Sequence, residues 1–136
     1  MATMTAAQRR AEAKAEYDTY LSTCKSRRLL DRLSDKWVTL VLCALAEDDM
    51  RYSELARKIA GVSQKMLTQT LRTLERDGLV IRRVTPSVPV QVEYAITQLG
   101  QSLVEVVYEL KRWAEGHMDD VETAQGRYDR RNASRG

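Results

Sequence analysis

Apolar residues recur every three or four positions over most of this chain, and in strict alternation over one short part of it. The first rhythm is helical and the second is that of strands. Residues 5–22 are rich in Ala, Glu, Lys and Arg and predict a helix whose only large apolar groups are Tyr17, Tyr20 and Leu21. Residues 26–33 predict a short helix burying Leu29, Leu30 and Leu33. From Trp37 to Ala46 the sequence is apolar nearly all round, Thr39 excepted, which predicts a helix surrounded by protein. Ser53 is the expected N-cap of "SELARKIAG", with Leu55, Ala56 and Ile59 as its inner edge and Gly61 as its stop.

Ser63 then caps "SQKMLTQTLRTLERDGLV", residues 63–80. At about 100° per residue, Met66, Leu67, Thr70, Leu71 and Leu74 share one arc of roughly 140°. The opposite side carries Gln64, Lys65, Thr68, Gln69, Arg72 and Arg76, with no acid before Glu75. A face that only needs solvation usually mixes Glu with Lys; this one presents amides, hydroxyls and cations, which read base edges and grip phosphates.

After Gly78 the period changes. "LVIRRV" and "VQVEYAIT" alternate and are rich in β-branched residues, with Val90, Val92, Tyr94 and Ile96 on one face. The two prolines of "TPSVP" stiffen the loop between them, and the expected unit is a two-stranded hairpin. Thr97 can cap a last helix over about 98–118, with Leu99, Leu103, Val106, Val107, Leu110, Trp113 and Ala114 as its main stripe. Val104 and Tyr108 widen that stripe beyond what one neighbour covers, and a second subunit is the expected cover. Three regions follow: an N-terminal helical arm (1–22), a folded domain ending in a dimerisation helix (23–121), and a flexible polar tail (122–136). Tyr17, Tyr20, Leu21, Leu103, Val104, Val107, Tyr108 and Leu110 are the candidate dimer interface.

Composition sharpens this picture in two places. The formal charge is +3, but residues 51–100 hold eight Lys/Arg against four acids, a local +4. Cys24 and Cys43 are too few for a disulfide framework. The N-terminus lacks the apolar core of a secretory signal, and no apolar run is long enough to span a membrane. A cytoplasmic, reducing setting without membrane association is therefore expected.

Helix, turn, helix and β-hairpin, in that order, form the winged helix-turn-helix: mainly α with a small β-wing. In that arrangement the second helix enters the major groove of double-stranded DNA. Gln69 suits adenine and Arg72 guanine. The N–H groups of Ser63, Gln64 and Lys65 at the helix start favour phosphate. Arg82 and Arg83 on the hairpin lie beside the duplex. The candidate DNA-binding set is Ser63, Gln64, Lys65, Thr68, Gln69, Arg72, Arg82 and Arg83. The competing possibility is a winged helix used only for protein contacts. Enzymatic chemistry finds no support. His117 is the only histidine and nothing orients it as a base, while two cysteines and one histidine at wide spacing match no metal site. No cofactor is expected.

From Cys24 to Glu115, "CKSRRLLDRLSDKW", "RYSELARKIAGVSQKMLTQTLRTLERDGLV" and "PSVPVQVEYAIT" resemble the HxlR family of bacterial transcriptional regulators. The resemblance implies a homodimer built on the N- and C-terminal helices, a palindromic operator and, in many members, control of a neighbouring gene. Several members sense electrophiles, quinones or oxidants through a cysteine before the first conserved helix, a position that Cys24 occupies. The family commonly has proline beside that cysteine; this chain has Lys25. The residues offer a case of their own, since a helix start and the nearby Lys25, Arg27 and Arg28 favour thiolate. The alternative for Cys24 is an inert, partly buried thiol, and Cys43 is expected in the core. Tyr17, Tyr20 and Tyr108 line either plain dimer packing or a pocket for a small aromatic effector.

Overall fold

The structure is a computed structural model describing residues 3–135. Met1, Ala2 and Gly136, at the ends of the expected arm and tail, lie outside the described residues, as does the side chain of Leu21.

Helix α1 (Ala6–Thr23) opens on a capping box in which Thr5 Oγ1 accepts from the Gln8 N–H at 3.1 Å and Gln8 Oε1 accepts from the Thr5 N–H at 2.8 Å. Its described side chains are all exposed, Tyr17 and Tyr20 included. The backbone turns extended at Cys24, and α2 (Lys25–Leu33) follows. Contrary to the expectation from its pattern, α2 buries nothing completely: Leu33 is half-buried, while Leu29 and Leu30 are 39% and 64% exposed. The helix packs on α3 and on α1, and α1 is itself exposed, so little of its surface finds cover.

The core forms around α3 (Lys36–Glu47), whose N-cap Asp35 accepts from the Trp37 N–H at 2.9 Å. Val38, Val41, Leu42, Ala44 and Leu45 are buried there. The helix is not wholly enclosed: Leu40 is 45% exposed and Cys43, expected in the core, is half-buried. Residues Met50–Arg51 form a short strand β1 that the hydrophobic pattern does not announce. Helix α4 (Tyr52–Lys58) begins before Ser53. Its N-cap is Arg51, whose N–H donates to Glu54 Oε1 at 3.1 Å. Ser53 and Ala56 face water, and Leu55 and Ile59 face the core. Gly61, at φ +84°, makes the turn into the next helix, a conformation that a Cβ disfavours.

Helix α5 (Gln64–Arg76) starts where Ser63 Oγ accepts from the Met66 N–H at 3.1 Å. Leu67, Thr70, Leu71 and Leu74 are buried on its inner face. A buried Leu contributes about 2–5 kcal/mol by truncation, so three of them hold the helix firmly against α3. Gly78, at φ +74°, ends it. Strands β2 (Val80–Thr85) and β3 (Gln91–Ile96) pair antiparallel from Val80↔Ile96 to Thr85↔Gln91. β1 adds to the free side of β3 (Met50↔Tyr94, Arg51↔Glu93), so the expected hairpin is the larger part of a three-stranded sheet ordered β1-β3-β2. Ala95 is the buried residue of β3; Val92, Tyr94 and Ile96 are half-buried, and Val90 stands in the loop, 61% exposed.

Thr97 joins hairpin to last helix: its Oγ1 donates to the Gly78 carbonyl at 2.7 Å and accepts from the Gly100 N–H at 3.0 Å. Gly100 sits so close to the chain that a Cβ there would lie 2.2 Å from the Leu79 carbonyl oxygen. Helix α6 runs from Gln98 to Arg135, 38 residues and about 57 Å. Its last turns replace the expected irregular tail. Residues 122–135 contain no proline and only one glycine, and Ala, Glu, Gln and Arg sustain a helix. One revision concerns the dimer interface: Val104 and Val107 are 1% and 7% exposed, packed within their own chain, and leave no surface for a second one. Tyr108 and Leu110, with Trp113, remain exposed, and Leu103 is half-buried against the core.

Candidate nucleic-acid interface

The turn through Gly61 and the cap at Ser63 set α5 across α4, with its polar side outward. Gln64, Lys65, Gln69 and Arg72 are exposed, Thr68 is half-buried, and these five line one continuous shallow depression. Ser63 is exposed at its rim, its Oγ engaged in the cap. None of Lys65, Arg72 and Arg82 forms an ion pair among the described residues, so their charges face solvent.

A second cleft, of about 350 Å³, separates α5 from the sheet and is lined by Tyr52, Thr68, Leu71, Arg72, Glu75, Arg82 and Tyr94. It brings Arg72 of the helix and Arg82 of the hairpin to one surface. Arg83 is not brought there. Successive strand residues point to opposite faces, and Arg83 lines up across the sheet with Glu93 and Arg51. Its Nη1 lies 3.3 Å from Asp49 Oδ2, which partly neutralises it. Arg51 donates to Gln91 Oε1 at 2.9 Å, and Lys58 is paired with Glu47. That ammonium holds the Glu47 carboxyl below the usual carboxylate range. Of the eight cations between residues 51 and 100, Arg83 and Lys58 are therefore held by acids, while Lys65, Arg72 and Arg76 of α5 and Arg82 of the hairpin are not.

Tyr52 is a contributor that sequence inspection missed. Its hydroxyl donates to the Gln64 carbonyl at 3.0 Å and lies 3.2 Å from Thr68 Oγ1. A tyrosine at a helix start, twelve residues before the group it binds, carries no local signature.

Cys24 sits between α1 and α2, half-buried and not in a disulfide. The N–H groups of Arg27 and Ser26 at the start of α2 lower its pKa below the ordinary thiol value. Cys43 behaves oppositely, burial pushing its thiol up. His117 stacks on Trp113, ring centroids 4.6 Å apart and planes 8° from parallel. Trp37 packs against the core under the Lys36 ammonium, 4.5 Å from its ring centroid. Among the described residues, no cluster of three or more His, Cys, Asp or Glu is placed to hold a metal, and no helix is long and apolar enough to cross a membrane.

A second helix whose outward row Gln64, Lys65, Thr68, Gln69 and Arg72 holds no acid, beside a three-stranded wing, defines a winged helix-turn-helix protein of the transcription-regulator type. Known proteins agree. The HxlR-like helix-turn-helix family model matches residues 32–122. The HTH-type transcriptional regulator YtfH of Escherichia coli is 42% identical over 106 residues, 78% of this chain and 84% of that protein. The solved structure of the transcriptional regulator YtfH from Salmonella typhimurium superposes with a TM-score of 0.67 at 39% identity, covering 77% of this chain and 94% of that one. The redox regulator HypR in its reduced form gives a TM-score of 0.68 at 34% identity, with 74% and 99% covered. The chain belongs to the HxlR-like helix-turn-helix family of transcriptional regulators.

Proposed function

We propose that this chain binds double-stranded DNA sequence-specifically, as a homodimer on a palindromic operator, and that the state of Cys24 governs that binding. The single observation that carries the proposal is the row Gln64, Lys65, Thr68, Gln69 and Arg72, which lines one outward depression on a single helix without an acid among them. Amide and guanidinium groups in that row match adenine and guanine edges in a major groove. Lys65 and Arg82 supply phosphate contacts, with Arg83 a weaker contributor because Asp49 holds it. Two copies related by a two-fold axis would read half-sites about 34 Å apart. Tyr17 and Tyr20 on α1 and Leu99, Val106, Tyr108, Leu110 and Trp113 on α6 are among the exposed apolar groups available for pairing.

The case for Cys24 rests on its lowered thiol pKa and on its position at the joint of α1 and α2, where an oxidised or alkylated sulfur would disturb the arm. That HypR is a redox regulator supports the same reading. Selection of duplexes from a random library, followed by titration at two salt concentrations, tests DNA binding. The expected result is an inverted repeat whose affinity falls steeply with salt. Binding that ignores sequence would overturn the base-reading role. Exposure to diamide should release the selected duplex from the wild type and not from Cys24→Ser.

A further inference from the structure

Residues 115–135 of α6 have little cover in their own chain: none is buried, and all but Val121 and Gly126 are exposed. The stretch spans about 31 Å, and the family match ends inside it, at residue 122. A helix without tertiary packing is marginal in water. The charges of this one are sorted along its axis. Residues 115–122 hold Glu115, Asp119, Asp120 and Glu122 and no Lys or Arg. Residues 123–135 hold Arg127, Arg130, Arg131 and Arg135 against one acid, Asp129. Apart from Glu115, 4.0 Å from Lys111, none of these groups forms an ion pair among the described residues. A single helix cannot fold back on itself, so the two blocks can meet only between copies.

We propose that residues 115–135 form a self-complementary contact, in which two copies pair antiparallel about a centre between Ala124 and Gln125, and that this contact joins two dimers into a tetramer. A parallel pair would set acid against acid and arginine against arginine. In the antiparallel register Asp119 is level with Arg130 of the second copy, and Glu122 with its Arg127. Val121 is level with Tyr128 of the second copy, and the small Ala124, on the same apolar line, lies at the crossing. Asp120, Arg127 and Arg131 share one flank of that line, because seven and eleven residues are close to two and three whole turns. A two-fold axis brings like flanks together. Asp120 therefore sits between Arg127 and Arg131 of the second copy, twice in each contact. Exposed pairs of this kind are individually weak and are screened by salt, so the contact depends on concentration and ionic strength.

This contact is separate from the homodimer interface. In its register Trp113 is level with the end of the second copy's chain. The exposed Leu99, Val106 and Leu110 then lie past that end and stay available to the first partner. A chain with two distinct two-fold contacts assembles beyond the dimer. The count of four rests on the homodimer proposed above; the charge-matched pairing does not.

Sedimentation equilibrium of the full-length chain at low and at high salt decides the matter. With rising concentration at low salt the wild type is expected to reach the mass of four chains, and at high salt to fall to two. The triple change Asp119→Lys, Asp120→Lys and Glu122→Lys, and separately Arg127→Glu, Arg130→Glu and Arg131→Glu, all at exposed positions, should each weaken the step from two to four at least tenfold. Mixing the two variants should restore it, which no loss of folding can mimic. Wild-type assembly unchanged by either triple change, or a mixture no larger than its components, would overturn the contact. A wild type at two chains with both variants at one would uphold the pairing and overturn the separate homodimer interface. Arginine reversal that weakens binding of random duplex without changing the mass would assign the arginines to DNA and overturn the contact.

Discussion

The Tyr52 hydroxyl donates to the Gln64 carbonyl at 3.0 Å, joining the first residue of one helix to the first residue of the next. Thr68 Oγ1, one turn along α5, lies 3.2 Å from the same oxygen. The hydroxyl thus sets both the entry angle of α5 and the rotamer of one of its candidate reading side chains. Tyr52→Phe should cost about 0.5–1.5 kcal/mol of stability, the usual worth of such a hydrogen bond. It should weaken the selected duplex about three- to tenfold and leave random duplex nearly unchanged. Urea unfolding and gel-shift titration measure the two effects, and an unchanged ratio of specific to random binding would refute the positioning role.

Arg72 is exposed at the junction of the α5 depression and the α5–hairpin cleft. Arg72→Ala should lose about 1–3 kcal/mol on the selected duplex if the guanidinium grips a guanine. Equal losses on selected and random duplex would assign it to phosphate instead.

Gly100 tests the packing of α6 against the hairpin base. Gly100→Ala places a methyl 2.2 Å from the Leu79 carbonyl oxygen and 2.7 Å from Ile96 Cγ1. Backbone on one side and a core side chain on the other leave little room to yield. Destabilisation of about 3 kcal/mol is expected, at the upper end of overpacking effects. A variant as stable as the wild type in urea would show that the helix start can shift.

The two thiols should separate by pH. A lowered pKa puts Cys24 in the thiolate form at lower pH, and a raised one delays Cys43. Alkylation by iodoacetamide, followed by peptide mass spectrometry, should therefore rise at lower pH for Cys24 than for Cys43. Coincident profiles would remove the case for a tuned thiol.

The Arg32–Asp77 pair is partly exposed, its side chains 38% and 24% accessible, so screening limits its worth. Asp77→Asn should cost about 1 kcal/mol or less. Its clearer mark should be faster amide exchange over the last turn of α5, read by hydrogen exchange. Protection unchanged there would show that the pair does not anchor that turn.

Much of this protein was legible before its coordinates, for one physical reason: short-range patterns report local backbone choices. The caps at Ser63 and Thr97, the turn at Gly61, the buried Leu67, Leu71 and Leu74, and the polar row opposite them, free of acids before Glu75, all follow from side chains within a few residues of one another. The family resemblance rested on the same stretches, and the family match covers them.

What tertiary structure decided is every feature that needs a distant partner. β1 exists because Met50 and Arg51 meet Tyr94 and Glu93, more than forty residues away, and two residues carry no period of their own. Asp49 claims Arg83, Tyr52 reaches Gln64, and Arg32 finds Asp77, none of them at a helical spacing. Val104 and Val107 read as part of a dimer interface, yet they are covered by their own chain, while Leu29 and Leu30, which read as buried, are not. Periodicity states which side of a helix is apolar. Only the packed fold states what covers it.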